Sequence, residues 1–178
     1  LLVSTSEGAI CCFVPGEVEP EHVVRNAPNP SPYAEDDLSK VYACAADAIL
    51  KQTGVKKGYA LVLGCGEGRL AYELARRTDL NLIGVERDPA KVAVARAALD
   101  AAGLYGVRVT VHEWNKDVLP YTSCLANLIV SDETLITGTL SIPAKEVLRI
   151  LCPCGGVACI GQPSRLPRKC LPIEPAAL

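Results

Sequence analysis

Apolar residues in the middle of the chain occur in short runs that alternate with segments of helical spacing. Apolar and alternating runs predict strands at 59–64, 81–86, 107–111, 125–131 and 157–161. Apolar residues at three-to-four spacing predict helices at about 35–53, 68–78, 89–102 and 142–151. Because strands and helices alternate, we predict an α/β domain with a doubly wound, mostly parallel sheet of at least five strands.

The two ends of the chain have a different pattern. Residues 1–14 contain two β-rich runs around Gly8, which predicts a small hairpin. Residues 15–34 contain five prolines and predict a linker, so the domain is expected at 35–162 and an irregular tail at 163–178. The chain begins with Leu and contains no Met, and we therefore expect it to be a piece of a longer protein.

A glycine-rich turn is the most informative segment of the domain. The strand at 59–64 leads into Gly64-x-Gly66-x-Gly68, a helix follows, and Glu86 ends the next apolar run. Strand, glycine turn, helix, strand and acid together are typical of a site for an adenosine-bearing cofactor. A tight turn without a ligand explains one glycine easily and three poorly.

The spacing of the glycines discriminates between cofactors. A dinucleotide turn needs its third glycine where this chain has Arg69, and the Gly-Lys-Ser/Thr of a phosphate loop is absent. The spacing suits a cofactor without a pyrophosphate, whose amino-acid tail passes over the turn near Glu67 and Arg69. Glu86 would accept hydrogen bonds from the ribose hydroxyls. We therefore favour S-adenosylmethionine over a dinucleotide such as NAD.

Residues 35–162 resemble class I S-adenosylmethionine-dependent methyltransferases, which have a Rossmann-like fold. Residues 61–68 and 84–89 are similar to the first two motifs of that family, and 111–115, 128–132 and 151–156 resemble later motifs. The resemblance implies cofactor contacts from Gly64, Cys65, Gly66, Glu67, Gly68, Glu86, Arg87, Trp114, Asn115 and Ser131. Asn115 stands where the family often has an acid, and the family's sixth and seventh strands are not apparent after residue 162.

The catalytic side of the site is less defined. Asp132 and Glu133 are candidates to orient or deprotonate a methyl acceptor, and a solvated acidic loop is the alternative. The segment lacks the two prolines and the aromatic residue found in enzymes that methylate amino groups of nucleic acids and glutamine. Displacement at a sulfonium carbon mainly requires alignment of donor and acceptor, so no catalytic residue is obligatory. The acceptor itself is unknown.

The first 14 residues resemble one hairpin of a pyrroloquinoline-quinone-type β-propeller repeat. This resemblance implies that the rest of a propeller chain is a partner of the domain. It also raises an alternative function, a non-catalytic cofactor-binding or structural module of a larger propeller protein. An NAD-dependent oxidoreductase is a third hypothesis, which Arg69 argues against.

Composition narrows the function classes further. A net charge of -2 shows no excess of basic residues, which nucleic-acid-binding proteins usually have. The apolar runs are too short to cross a membrane. Nine cysteines, mostly inside apolar segments, predict reduced thiols and favour the cytoplasm. The cysteines lack paired C-x-x-C spacing, so no metal site is predicted, and His112 is expected to be structural.

Overall fold

The structure is a computed structural model that describes residues 2–5, 10–13, 15–16, 28–29 and 31–162. Its strands are β1 (Leu2–Ser4), β2 (Ile10–Cys12), β3 (Lys57–Leu63), β4 (Asp79–Glu86), β5 (Val109–Glu113), β6 (Leu128–Ser131) and β7 (Val157–Cys159). Its helices are α1 (Asp37–Thr53), α2 (Arg69–Arg77), α3 (Pro89–Ala101), α4 (Asp132–Thr137) and α5 (Ala144–Ile150).

Five of the strands form one parallel sheet in the order β5-β4-β3-β6-β7. The central strand β3 is buried on both faces, and its side chains alternate between two cores. Ala60 and Val62 pack with α1, α2 and α3, whereas Leu61 and Leu63 pack with α5. Helices therefore cover both faces of the sheet, and the predicted Rossmann-like, doubly wound α/β fold is confirmed.

Side-chain caps set the helix ends that the sequence indicates. The Asp36 carboxylate accepts from the Ser39 backbone N–H at 2.7 Å, so α1 begins two residues later than the predicted position 35. Asp88 caps α3 by accepting from the Ala90 N–H at 2.9 Å, with Pro89 as the first helical residue. Both helices are followed by a glycine with positive φ, which Gly54 and Gly103 can adopt.

Several observed elements differ from those predicted; the strand predicted at 125–131, for example, extends only from Leu128 to Ser131. The strand predicted at 107–111 runs from Val109 to Glu113, because the N–H groups of Val107 and Arg108 both donate to the Leu104 carbonyl in a turn. The acidic loop considered at 132–134 is instead the start of helix α4, capped by Ser131. The last strand ends at Cys159 rather than at residue 161.

The N-terminal strands form a separate sheet of two. As predicted, β1 pairs with β2 in antiparallel fashion, with Val3 opposite Cys11, and both strands are exposed along their whole length. The hairpin turn at 6–9, most of the predicted linker and the predicted tail at 163–178 lie outside the described residues. Among the described helices, none is long and apolar enough to cross a membrane.

A close contact inside the sheet generates a stability prediction. A Cβ atom at Gly84 would lie 2.8 Å from the Cys65 sulfur, which is fully buried against β4. We expect Gly84→Ala to lower the free energy of unfolding by about 1–3 kcal/mol, measured by urea denaturation, because the core is overpacked there.

The double variant Gly84→Ala/Cys65→Ala separates this contact from other effects. Removing the sulfur gives the new methyl group room, so alanine at position 84 should cost less in the Cys65→Ala background. Cys44→Ala, at an exposed cysteine, serves as a control that should change stability by no more than about 0.5 kcal/mol. An equal cost of Gly84→Ala in both backgrounds would show that the sulfur contact is not the cause.

Candidate functional site

The carboxyl ends of β3, β4 and β6 surround a cavity of about 360 Å³. It lies where the strand order changes direction between β3 and β6, which is the usual ligand position in an open α/β sheet. Its size is within the range of small-molecule sites. The lining residues used below are Tyr42, Gly64, Gly66, Glu67, Arg69, Glu86, Arg87, Trp114, Asp132, Glu133 and Ser141.

The three glycines of the turn have different neighbours. A Cβ at Gly64 would lie 2.5 Å from the Glu133 Cβ, so glycine is needed there for α4 to pack against the turn. A Cβ at Gly68 would lie 3.1–3.3 Å from Tyr33, Ala95 and Leu99, so glycine is needed there for packing against α3 and the segment before α1. Only Gly66 faces open space, with Asp132 Oδ2 as its nearest neighbour at 3.7 Å. Gly66 is therefore the glycine of the turn with the most room beside it on the cavity side.

The Glu86 carboxylate holds the turn in place. Its Oε2 accepts from the Gly66 N–H at 2.7 Å, and its Oε1 accepts from the N–H groups of Arg87 at 2.8 Å and Asp88 at 3.1 Å. The side chain is 9% exposed, so these bonds form away from bulk water. A carboxylate has about four acceptor positions, and three are used, which leaves capacity for a ligand hydroxyl.

Asp132 is the most deeply buried acid of the cavity, at 2% exposed. Its Oδ1 accepts from the Tyr42 hydroxyl at 2.8 Å, whereas its Oδ2 has no hydrogen-bond partner among the described residues. Burial raises the pKa of the Asp132 carboxyl to about 8; the Tyr42 hydrogen bond opposes the rise and the Glu86 charge adds to it. Asp132 is therefore mainly protonated at neutral pH.

Arg69 contributes a guanidinium group to the same cavity. Its Nη1 donates to Asp36 Oδ1 at 3.1 Å and to Ser39 Oγ at 2.9 Å, and its guanidinium lies 5.1 Å from the centre of the Tyr33 ring. Its Nε is buried without a hydrogen bond in the described part of the chain, and the Glu67 carboxylate is 3.7 Å away. The cavity thus contains two buried polar atoms without hydrogen bonds in the described residues, the donor Arg69 Nε and Asp132 Oδ2, which becomes an acceptor when the carboxyl is ionised.

The opposite end of the cavity is built by residues that follow β4 and β5. Trp114 donates its indole N–H to the Val118 carbonyl at 2.7 Å and its backbone N–H to the Glu86 carbonyl at 2.9 Å. Arg87 donates to Asp117 at 3.1 Å. Near α4, the Glu133 carboxylate accepts from the Ser141 hydroxyl at 2.6 Å, which ties the 138–143 segment to the site.

The structure brings most of the sequence-predicted residues together. The predicted contacts that line the cavity are Gly64, Gly66, Glu67, Glu86, Arg87 and Trp114, and both catalytic candidates, Asp132 and Glu133, line it too. The remaining four do not line it: Cys65 is buried against Gly84, Gly68 packs on α3, Asn115 is exposed, and Ser131 caps α4. The Ser131 hydroxyl accepts from the Thr134 N–H at 3.0 Å, so this hydroxyl is used within α4.

Tyr42 is the site residue that sequence reasoning missed. Its position on the apolar face of α1 predicts burial, but helical spacing does not reveal that its hydroxyl meets the Asp132 carboxyl at the start of α4. His112, expected to be structural, lies outside the cavity lining with its Nδ1 2.8 Å from the Tyr121 hydroxyl. Burial, helped by the Arg96 charge, lowers the pKa of His112. No group of metal-ligating side chains occurs among the described residues.

Three observations indicate that the cavity fits S-adenosylmethionine. Gly66 leaves open space above the turn, and Glu86 retains acceptor capacity for ribose hydroxyls. The unsatisfied Arg69 N–H and Asp132 oxygen match the carboxylate and the ammonium of an amino-acid tail. Trp114, which follows β5, also lines the cavity, and an aromatic side chain there suits a base.

Comparisons with known proteins agree with this geometry. A family described as "Methyltransferase domain" matches residues 56–169. No curated protein matches the chain. Similar solved structures include a protein from Methanococcus maripaludis described as an S-adenosyl-L-methionine-dependent methyltransferase, with 23% identity over 72% of this chain and a TM-score of 0.65.

Two further structures have the same fold. The [4+2]-cyclase SpnF has 24% identity over 66% of this chain and a TM-score of 0.57. A protein from Galdieria sulphuraria described as a sarcosine dimethylglycine methyltransferase has 25% identity over 66% and a TM-score of 0.55. This chain covers 58%, 43% and 44% of the three proteins, respectively, and so spans about half of their length.

The Glu86 hydrogen bonds generate a second stability prediction. In Glu86→Gln, an amide N–H₂ replaces one carboxylate oxygen and faces a backbone donor, so we expect a loss of about 1–3 kcal/mol in the free energy of unfolding. Glu113→Gln is the matched control, because Glu113 lies opposite Glu86 on β5 and is exposed. Similar losses in both variants, measured by urea denaturation, would contradict the proposed role of Glu86.

The raised pKa of Asp132 predicts how stability depends on pH. The folded protein holds this proton up to about pH 8, whereas in the unfolded chain it dissociates near the ordinary aspartate pKa of 3.8. Between these values the folded state binds more protons, so the contribution of Asp132 to stability falls as pH rises. We expect wild type to lose about 1 kcal/mol per pH unit relative to Asp132→Asn between pH 5 and 7.

Urea denaturation at several pH values measures this difference. Asp132→Asn keeps an oxygen that can accept from Tyr42 and removes only the titration. Asp100→Asn, at an exposed acid on α3, is the control and should follow the wild-type pH dependence. Parallel stability curves for wild type and Asp132→Asn would contradict the prediction.

Proposed function

The chain belongs to the family of methyltransferase domains, and we propose that it binds S-adenosylmethionine beside the glycine turn and transfers the methyl group to an acceptor. The observation that carries the proposal is the cavity at the carboxyl ends of β3, β4 and β6, whose unsatisfied groups complement this donor. Membership of the family supports methyl transfer as the reaction class. The acceptor remains to be identified by experiment.

In this proposal the two ends of the cavity hold different parts of the donor. Glu86 accepts from the ribose hydroxyls, and Trp114 and Arg87 form the wall beside the base. Gly66 allows the amino-acid tail to pass, Arg69 donates to its carboxylate, and Asp132 accepts from its ammonium. These contacts fix the donor in one orientation, which is the main requirement for a direct displacement.

Bound S-adenosylmethionine would supply a methyl group on a sulfonium sulfur, which is an excellent leaving group. The protein therefore needs to align the acceptor and to exclude water. Glu133, at the cavity wall and bonded to Ser141, is proposed to orient the acceptor. Its carboxylate is within reach of solvent, so it can also take a proton from an acceptor hydroxyl or amine.

A second candidate function is a donor-binding module without catalysis inside a larger β-propeller protein. The observation that favours it is the N-terminal hairpin, whose apolar side chains are exposed, including Leu2 at 71% and Ile10 at 77%. A two-stranded hairpin alone is marginally stable, so these strands suit a larger sheet that other segments complete. The two functions differ in turnover, not in donor binding.

Calorimetric titration tests the donor site directly. We expect S-adenosylmethionine and S-adenosylhomocysteine to bind, and NAD to give no heat. Absence of binding by both adenosyl compounds would overturn the proposal, and NAD binding would favour an oxidoreductase. Methyl transfer to candidate acceptors then separates the enzyme from the non-catalytic module.

Gly66→Ala tests whether the ligand lies on the turn. Both Gly66 and Gly54 have positive φ, 52° and 69°, so alanine at either position should cost about 1 kcal/mol of stability. Gly54 has nothing near its would-be Cβ and is remote from the cavity lining, so Gly54→Ala is the matched control. We expect Gly66→Ala to weaken adenosyl binding at least tenfold and Gly54→Ala to leave it unchanged; equal affinities would contradict this placement.

A further inference from the structure

Asp132 has no charge partner in the described part of the chain. It forms no ion pair there, and its only hydrogen bond comes from the neutral Tyr42 hydroxyl. A carboxylate buried to this extent is strongly disfavoured unless a cation or several donors compensate it. Solvent barely reaches Oδ2, so in the free protein the carboxyl is kept neutral by its proton, and its charged form requires a bound cation.

The groups around Asp132 do not supply that compensation. Burial raises the pKa of both Tyr42 and Cys65, so both stay neutral at physiological pH. Glu86 repels a carboxylate at position 132, and Lys91 attracts it more weakly. The titratable or charged groups that line the cavity beside Asp132 are Tyr42, Glu67, Arg69, Glu86, Arg87, Lys91 and Glu133, and Cys65 is buried behind the turn.

We propose that Asp132 is a proton-coupled receptor for the ammonium group of the donor, so that donor binding releases the Asp132 proton. The inference rests on the proposed function, because it assumes an adenosyl donor with an amino-acid tail. Its geometric basis is the unsatisfied Oδ2, which lies 3.7 Å from the position of a Cβ at Gly66, where the tail passes. The ligand cation replaces the proton as the charge partner of Oδ2.

This coupling makes donor affinity depend on pH. With a pKa of about 8, Asp132 is almost fully protonated in the free protein below pH 7. An ammonium beside the carboxyl favours its charged form, so binding lowers the pKa and expels the proton. By linkage, affinity rises with pH by up to tenfold per unit, or about 30-fold between pH 5.5 and 7.0. In this range the donor's own α-amino group stays mostly charged, since such groups titrate near 7.7–8.0.

Calorimetry with three ligands tests which part of the donor causes the release of the Asp132 proton. We would titrate S-adenosylmethionine, S-adenosylhomocysteine and 5′-methylthioadenosine at pH 6.5 in two buffers of different ionisation enthalpy, which reports the protons released. The first two ligands carry the ammonium and should release about one proton each. Methylthioadenosine lacks the amino-acid tail and should release none. Equal release by all three ligands would place the proton at the adenosine end and overturn the inference.

Two variants test the assignment to Asp132. Asp132→Asn should bind with no proton release and with affinity nearly independent of pH between 5.5 and 7.0, whereas Glu133→Gln should retain the wild-type release. Unchanged proton release in Asp132→Asn would overturn the inference.

The wild-type titration distinguishes this inference from the function on which it rests. Binding of S-adenosylmethionine with no proton release and no pH dependence would overturn the role of Asp132 and leave the donor site standing. Absence of binding by either ammonium-bearing ligand at any pH would overturn the proposed function itself. Both results are obtained with the wild-type protein, so neither requires that a variant folds.

Discussion

The hydrogen bonds of the Glu86 carboxylate connect the parts of this domain that build its cavity. One oxygen holds the Gly66 N–H in the turn after β3, and the other holds two N–H groups at the start of α3. The turn can therefore keep a left-handed glycine facing open space, because a buried acid from the adjacent strand satisfies its backbone. The same carboxylate lines the cavity, so the hydrogen bonds that hold the turn against α3 also shape the cavity.

The cavity carries an energetic cost that a ligand can offset. Arg69 Nε and Asp132 Oδ2 are buried without hydrogen bonds in the described residues, and each such group costs about 1–3 kcal/mol. In a protein shaped by folding alone, these atoms would have partners or would be apolar. A donor and an acceptor left open in one cavity are instead the features expected of a site for a zwitterionic ligand. Stability and binding therefore oppose each other at Asp132.

The glycine turn shows how far reasoning from sequence extends. Three glycines in five residues predicted a ligand against the turn, but two of them serve the protein's own packing. Gly64 makes room for Glu133 on α4, and Gly68 makes room for Tyr33 and α3. Only Gly66 is free for a ligand. The spacing identified a turn that borders the cavity, but it could not distinguish these causes, because the neighbours come from distant segments.

Local patterns in the sequence determined most of the elements, the caps of α1 and α3, the parallel sheet and the acid that ends β4. These depend on interactions within a few residues or on the periodicity of burial, which a sequence records directly. Only the tertiary structure decided that Cys65 fills the space left by Gly84 and that Tyr42 meets Asp132. The last contact joins residues 90 positions apart, and it exists because β6 pairs beside β3 under helix α1. Strand order brings such groups together, and no local pattern records it.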